Sequence, residues 1–311
     1  MKLSTVAKQF DGVHLVQDGI FTSCGFCELH YTANMLVYLT SETYISKAKK
    51  NPNVSAILTT PQMAEQLMGT GYGLLAADNP AGLFCEIHNT LAHNGQLYPL
   101  NHSETIIGKH CSIAPEAYIA PQGVVIGSRV IIEPGAIIRE NVTIGDDCVI
   151  GANTVIGTRG LQFPLVGARR VYMEHVGGVK IGNRVDILSG TTISCGLFEP
   201  TVIEDDVKID NLVQVAHSDR IGKGTVIATG AKLCGTVHIG QDVWIGANSS
   251  IAQFVEIEDN AYICIGSVVA QRVKNGAKVS GNFAENHIER ILREKKAQRF
   301  FRRDKNTIST T

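Results

Sequence analysis

The sequence predicts a mainly β protein: a left-handed parallel β-helix that carries an N-terminal α/β domain and a C-terminal helix. Three observations carry that reading. From Ile203 to Val269 an aliphatic residue returns at every sixth position, through Ile209, Val215, Ile221, Ile227, Leu233, Ile239, Ile245, Ile251, Ile257 and Ile263. Charged residues make up 18% of the chain and aromatics 6%, while glycines number 31, the balance of a Gly-punctuated aliphatic solenoid. Residues 1 to about 103 lack the hexads and alternate strand-like with helix-like runs. A period of six fits neither the helical 3.6 nor the strand period of 2.0. It suits a short strand, a turn and a repeat, so that three faces close a triangle of eighteen residues. Stacked triangles then bury one aliphatic column, each coil gaining its burial from its neighbours. The left hand of such hexad solenoids is an exception to the usual right-handed crossover.

Within residues 1–103, Met35–Leu39 reads as a strand, with Ser41 as N-cap of a helix through Lys50. Val54–Thr59 is a second strand, and Thr60-Pro61 opens a helix with proline at its first position. Leu74–Ala77 is a third strand, and Asp78-Asn79-Pro80 opens a helix to about His93. No Gly-rich phosphate loop follows any of these strands, so a dinucleotide-binding unit is not expected. The solenoid occupies residues 104–281. Its hexads begin at Ile107, Ile113 and Ile119, and one extra residue before Ile126 resets the frame. Ile132, Ile138, Ile144, Ile150 and Ile156 follow in step. The pattern breaks at Thr158 and resumes at Ile181, Ile187 and Ile193. The segment between, Arg159 to His175, is too long for a coil corner; its Phe163, Arg169, Arg170 and Tyr172 suit an ordered flap over a site. A shorter break, Gly196–Pro200, precedes the long regular run. Residues 282–311 form a C-terminal helix and tail, with Ile288, Ile291 and Leu292 on one helical face. Between Glu285 and Lys305 eight Lys or Arg stand against four Asp or Glu, a solvated face that also suits an acidic partner.

The bulk numbers exclude several classes. A formal net charge of −1 argues against a nucleic-acid binder. The N-terminus lacks an apolar leader-like run, and no apolar stretch approaches a membrane span, so a soluble cytoplasmic protein without a transmembrane segment is expected. Of the eight cysteines, Cys111, Cys148, Cys234 and Cys264 fall at hexad positions, where a small buried hydrophobe is wanted. Cys24 and Cys27 form a lone C-x-x-C without a second pair, so no metal or disulfide framework is expected.

One stretch breaks the hydrophobic logic. In Val207–Ser218, His217 follows Val215-Ala216 and leaves the coil near a corner. Asp210 lies seven residues earlier, about one face away, and Gly235 lies eighteen residues later, one coil on. At one strand spacing, roughly 4.8 Å, Gly235 is expected almost directly above His217. A histidine to take a proton, a carboxylate to orient it and a glycine amide to receive an oxyanion are the parts of acyl transfer. No cysteine or serine is placed as a covalent nucleophile, so direct attack by the acceptor is the simpler route, with no permanently bound cofactor.

The hexads, the segment Ile209-Asp-Asn-Leu-Val-Gln-Val-Ala-His217 and the preceding α/β domain resemble the UDP-3-O-(3-hydroxyacyl)glucosamine N-acyltransferases of the lipid A pathway, over nearly the whole chain. The resemblance implies a homotrimer with sites between adjacent solenoids. It implies transfer of an acyl group, 3-hydroxyacyl included, from an acyl carrier protein or CoA thioester to the amine of a nucleotide-linked amino sugar. It also implies His217 as general base, Asp210 as its partner and Gly235 as oxyanion donor. Tyr38 and Tyr44 have the spacing of the family's uracil-stacking aromatics, against the alternative of one core and one surface tyrosine. Phe163, Asn211, Ser218 and Phe254 complete the expected substrate contacts. The chain departs from the family at Phe254, where a second histidine is usual, at Ser218, where asparagine is common, and in the flap's Gly160-Leu-Gln-Phe163. These departures point to a relative acting on another amino sugar or acyl chain. The lipid A enzyme itself and a non-catalytic nucleotide-sugar-binding solenoid remain the other readings.

Overall fold

The computed structural model describes residues 1–29, 33–95, 97–98, 103–281 and 283–296. In chain order the N-terminal part comprises α1 (Leu3–Gln9), β1 (His14–Gln17), β2 (Ser23–Cys24), β3 (Met35–Tyr38), α2 (Glu42–Lys50), β4 (Val54–Thr59), α3 (Pro61–Gln66), β5 (Gly73–Ala76) and α4 (Pro80–His93). The strands lie in the order β1-β5-β4-β3-β2, with β1 antiparallel to β5 and the other pairs parallel. Alternate residues of the central strands face two cores, as the strand period of two requires. Leu36, Ala56, Leu58 and Leu75 pack with α1 and α4, while Met35, Val37, Ile57 and Leu74 pack with α2 and α3. Two helix starts are capped as their sequences suggest: Thr60 accepts the Met63 N–H at 3.4 Å and Asn79 accepts the Gly82 N–H at 3.0 Å. Ser41 heads α2 without capping it, its hydroxyl being 2.6 Å from that of Thr43. The short α1, β1 and β2 carry too little periodicity to be read from sequence.

The rest is a three-sided parallel β-helix. Among the described residues its faces hold eight, nine and eight strands. The first face runs from Ile106–Ile107 to Glu256–Ile257, the second from Ser112–Ile113 to Lys278–Val279, and the third from Tyr118–Ile119 to Val268–Val269. The register is eighteen residues in the regular run, with Ile221 on Ile239 and Ile239 on Ile257. The hexad aliphatics from Ile126 to Val269 fill the column, and residues two places earlier, such as Val207, Val213, Val237 and Val243, close its corners. The long interruption leaves this ladder intact: Val142–Ile144 pairs directly with Val179–Ile181, and residues 159–178 are thrown outward.

The cysteine expectation needs correction. Cys148 is buried, but Cys234 is exposed and Cys111 and Cys264 are partly so, because they occupy corner positions of varied depth rather than one inward place. Cys24 and Cys27 are buried, and burial pushes both thiols up to about 12. Helix resumes at residue 287 and is described through 296; Ile288 and Leu292 are exposed there. Most of the basic tail lies outside the described residues. Among the described residues no helix is long and apolar enough to cross a membrane.

Candidate active site

The edge between the third and first faces gathers every irregularity of the solenoid. The flap leaves there after Val155–Thr158, and the short break 195–200 leaves there after Thr192–Ser194. His217, Gly235 and Phe254 follow on the next three coils of the same edge. Both insertions are plugged into the N-terminal domain: Met173 and Leu197 are buried in its core with Phe84, Ile87 and Leu91. Phe198 packs edge-on against Phe26 and Phe84, with centroids 5.2 and 6.2 Å apart. Asn89 of α4 grips the flap backbone twice, donating to the Tyr172 carbonyl at 2.8 Å and accepting the Glu174 N–H at 2.9 Å.

His217 is buried, and burial lowers its pKa, so the ring is neutral. Gly235 stands where the eighteen-residue register puts it. A Cβ on Gly235 would lie 3.1 Å from His217 Nε2, and its φ of +96° favours glycine on its own account. The Thr236 N–H donates to the His217 carbonyl at 2.9 Å, locking one corner on the other. At three other corners an amide in the place of Gly235 donates to an acid on the coil before. Thr229 donates to Asp210 at 3.1 Å, Lys223 to Glu204 at 3.0 Å and Ala152 to Glu133 at 2.8 Å. In each pair the acid precedes the amide by nineteen residues; the residue nineteen before Gly235 is Ala216. The Gly235 N–H therefore has no acceptor among the described residues. An unpartnered amide beside a neutral imidazole is equipped to receive an oxyanion.

Asp210 does not orient that imidazole within the chain. It sits at the corner between the second and third faces, where its oxygens accept the Asn211 N–H at 2.7 Å and the Thr229 N–H at 3.1 Å. Six residues carry the chain to the next corner, so a spacing of seven separates the two side chains instead of joining them. Asn211 shares that remote corner, accepting the Ser189 N–H at 3.1 Å. Ser218 is buried and structural: its Oγ accepts the Leu197 N–H at 3.0 Å and its own N–H donates to Thr201 Oγ1 at 2.9 Å.

Sequence reasoning missed His175. Its ring meets His217 edge-on at 5.3 Å between centroids and stacks on Tyr172, whose hydroxyl is 2.8 Å from His175 Nδ1. Burial and the neighbouring His217 hold His175 down to about 4. Gly160 closes the arrangement, since a Cβ there would come 2.4 Å from His175 Nε2 and 2.9 Å from His217 Cδ2. The flap thus folds directly over His217. A histidine in a segment already singled out as a flap was the available signal.

Beside this corner a pocket of about 290 Å³ opens between the two domains. Phe26, Tyr38, Tyr44, Glu28, Gln162 and Phe254 contribute to its lining, so three of the expected contact residues meet there. His217 is not in the lining; the connection is the Phe254 N–H, which donates to the Gly235 carbonyl at 3.3 Å. Phe163 lies outside the lining too, packed on Tyr172 at 5.3 Å.

The repeats of this solenoid are similar to those of bacterial transferases. Residues 123–158 and 236–271 match the family described as bacterial transferase hexapeptide (six repeats), and residues 104–140 match the hexapeptide repeat of succinyl-transferase. Within that class the chain is similar to UDP-3-O-acylglucosamine N-acyltransferases. The enzyme of Delftia acidovorans is 34% identical over 113 residues, covering 36% of this chain and 34% of the relative. That of Campylobacter curvus is 33% identical over 135 residues, covering 43% of each. The chain thus spans between a third and about two fifths of the length of these curated relatives. A UDP-N-acetylglucosamine acyltransferase from Campylobacter jejuni has the same fold, with TM-score 0.51 and 24% identity over 62% of this chain and 79% of that one.

Proposed function

We propose that this protein is an N-acyltransferase that moves an acyl group from a thioester to the amine of a nucleotide-linked amino sugar, for lipopolysaccharide or surface-glycan synthesis. The observation that carries the reading is the neutral, buried His217 packed on Gly235, whose N–H lacks an acceptor among the described residues. In the reaction, His217 takes a proton from the attacking amine while the amine nitrogen bonds to the thioester carbonyl carbon. The Gly235 N–H receives the oxyanion, and collapse expels the thiolate, which takes the proton from His217 and restores the neutral ring. The neighbouring pocket, with Tyr38 and Tyr44 on one side and Phe254 on the other, suits a nucleotide base or sugar. Flap displacement admits the acceptor to His217.

The donor is an acyl carrier protein or acyl-CoA, the working form is a homotrimer, and the setting is the cytoplasm. The test is a product assay by mass spectrometry, pairing UDP-linked amino sugars with each thioester. Acylated product that disappears in His217→Ala supports the reading; no product from any pair in an intact trimer favours a binding solenoid instead. The names of the curated relatives favour a second reading, the lipid A N-acylation itself. Acceptance of UDP-3-O-acylglucosamine separates the two.

A further inference from the structure

We propose that His175 is the residue by which this site selects an amine over a hydroxyl acceptor: its Nε2 accepts the second N–H of the amine whose first N–H goes to His217. The inference rests on the acyl-transfer reading and deepens it, since it names what the flap contributes to the reaction.

Among the described residues three buried side-chain atoms lack a hydrogen-bond partner: His175 Nε2, His217 Nδ1 and Asp219 Oδ2. The first two belong to rings in edge contact, 5.3 Å between centroids and inclined at 75°. Both rings border one notch. A Cβ on Gly160 would collide with His175 Nε2 and lie 2.9 Å from His217 Cδ2, and one on Gly235 would lie 3.1 Å from His217 Nε2. Because Cδ2 and Nε2 are bonded atoms, His217 turns that edge to the space between the two glycines. His175 turns its Nε2 to the same space from the flap side.

The other ring nitrogen fixes the state of His175. Its Nδ1 is 3.0 Å from the Met173 carbonyl, which can only accept, so the ring proton sits on Nδ1. The Tyr172 hydroxyl, 2.8 Å from the same nitrogen, and the stacked Tyr172 ring hold the imidazole in place. Nε2 therefore carries a lone pair. Burial, with His217 alongside, holds the ring down to about 4, so it remains an acceptor at neutral pH. A base that weak takes a hydrogen bond and leaves the proton of an attacking amine to His217.

An acceptor shut away from water without a partner is costly, and a substrate donor relieves that cost. A primary amine offers its lone pair to the thioester carbonyl carbon and has two N–H groups, one for each histidine. A hydroxyl has a single O–H, which His217 needs as base, so the His175 lone pair stays unsatisfied when the flap closes over it. Sites built around a donor discriminate strongly against an analogue that lacks it. The bond-making is unchanged: N–C forms, C–S breaks, and the proton passes through His217 to the thiolate. The flap lifts to admit the acceptor, and the orphaned Nε2 favours reclosure over an amine.

The test measures acylation of UDP-glucosamine and of UDP-glucose, which has a hydroxyl in place of the amine, in wild type, His175→Phe and His175→Gln. Phenylalanine keeps a ring against Tyr172 and His217 but removes the acceptor, so the preference for the amine is expected to narrow by about tenfold or more, through lost amine turnover. Glutamine puts an amide oxygen near the place of Nε2 and is expected to keep the preference within about threefold. A preference unchanged in His175→Phe, or lost equally in His175→Gln, overturns the proposal. Absence of product in wild type counts against acyl transfer itself, and NMR of the imidazole nitrogens then decides the role of His175 without turnover. The free protein is expected to hold His175 as the Nδ1–H tautomer; the Nε2–H tautomer overturns the proposal whatever the reaction. Saturating UDP-glucosamine is expected to shift the Nε2 signal and UDP-glucose to leave it in place; equal shifts, or none, overturn it as well.

Discussion

At His217 the environment favours the protonation state that a general base needs, since burial disfavours the imidazolium. His217→Ala is expected to lower turnover by about 10²–10⁴-fold, the usual contribution of a general base, while the hexad column is untouched. Turnover within a few-fold of wild type, in protein of native assembly, would contradict the assignment. Asp210 is expected to behave differently. Asp210→Ala removes a solvent-exposed corner brace, so it should cost about 0.5–1.5 kcal/mol of stability in denaturant titration and leave kcat of the folded protein nearly unchanged. A kcat loss matching that of His217→Ala would return Asp210 to the catalytic group. His217 and Gly235 were legible because an eighteen-residue register converts sequence distance into stacking. The same arithmetic does not tell which way a corner side chain points, which is why the bonds that Asp210, Asn211 and Ser218 make within the chain were not legible.

Among elements, the flap was legible as an interruption of the hexads, and so was its position over a site. Its partners were not, because Met173, Leu197 and Phe198 acquire meaning only when α4 and the solenoid edge are brought together. Gly160 is the most sensitive point of that contact. Gly160→Ala pushes a methyl into the His175 and His217 rings, so kcat is expected to fall more than tenfold as the flap is displaced. Steady-state kinetics at wild-type values would show that the flap does not work in this closed position. Asn89→Ala removes two bonds to the flap backbone. Hydrogen exchange at residues 172–175 should quicken while exchange in the coils stays slow, and uniform protection would show that apolar packing alone holds the flap.

For the whole molecule, buried titratable groups set the response to acid. His88 and His175 are both held down to about 4, chiefly by burial, below the 6.5 of free imidazole. The unfolded chain therefore takes up protons between about pH 6.5 and 4 that the folded chain refuses, and stability falls as pH drops through that window. Each group contributes about 1.4 kcal/mol per pH unit. Asp219 has the opposite sign, since its raised pKa favours the folded state below that value and this stabilisation is lost as pH rises from 3.8. Glu199, also raised by burial, acts with Asp219, while His217 and His238 act with the other two histidines, so four histidines outweigh two acids and acidification is destabilising. Urea titrations at pH 4.5, 5.5 and 6.5 check this; a midpoint that stays level or rises toward pH 4.5 would contradict it. The solenoid was plain in the hexads, whereas these histidines gain their character from three separate elements that no local pattern connects.

The acids that clasp amides at Thr229, Lys223 and Ala152 act as stoppers; among the described residues Ala247, Gln253 and Ile265 are left open as Gly235 is, but of these only Gly235 stacks on a histidine. At the proposed catalytic corner the missing stopper is a single side chain, that of Ala216. The site is thus an omission in a periodic structure, and it is reversible by one codon. Ala216→Asp would set an internal anion against the Gly235 N–H, occupying the seat proposed for the oxyanion. Such a variant is expected to fold like its parent, retain substrate in the adjoining pocket and turn over at least tenfold more slowly, a self-plugged enzyme whose inhibitor is part of its own coil.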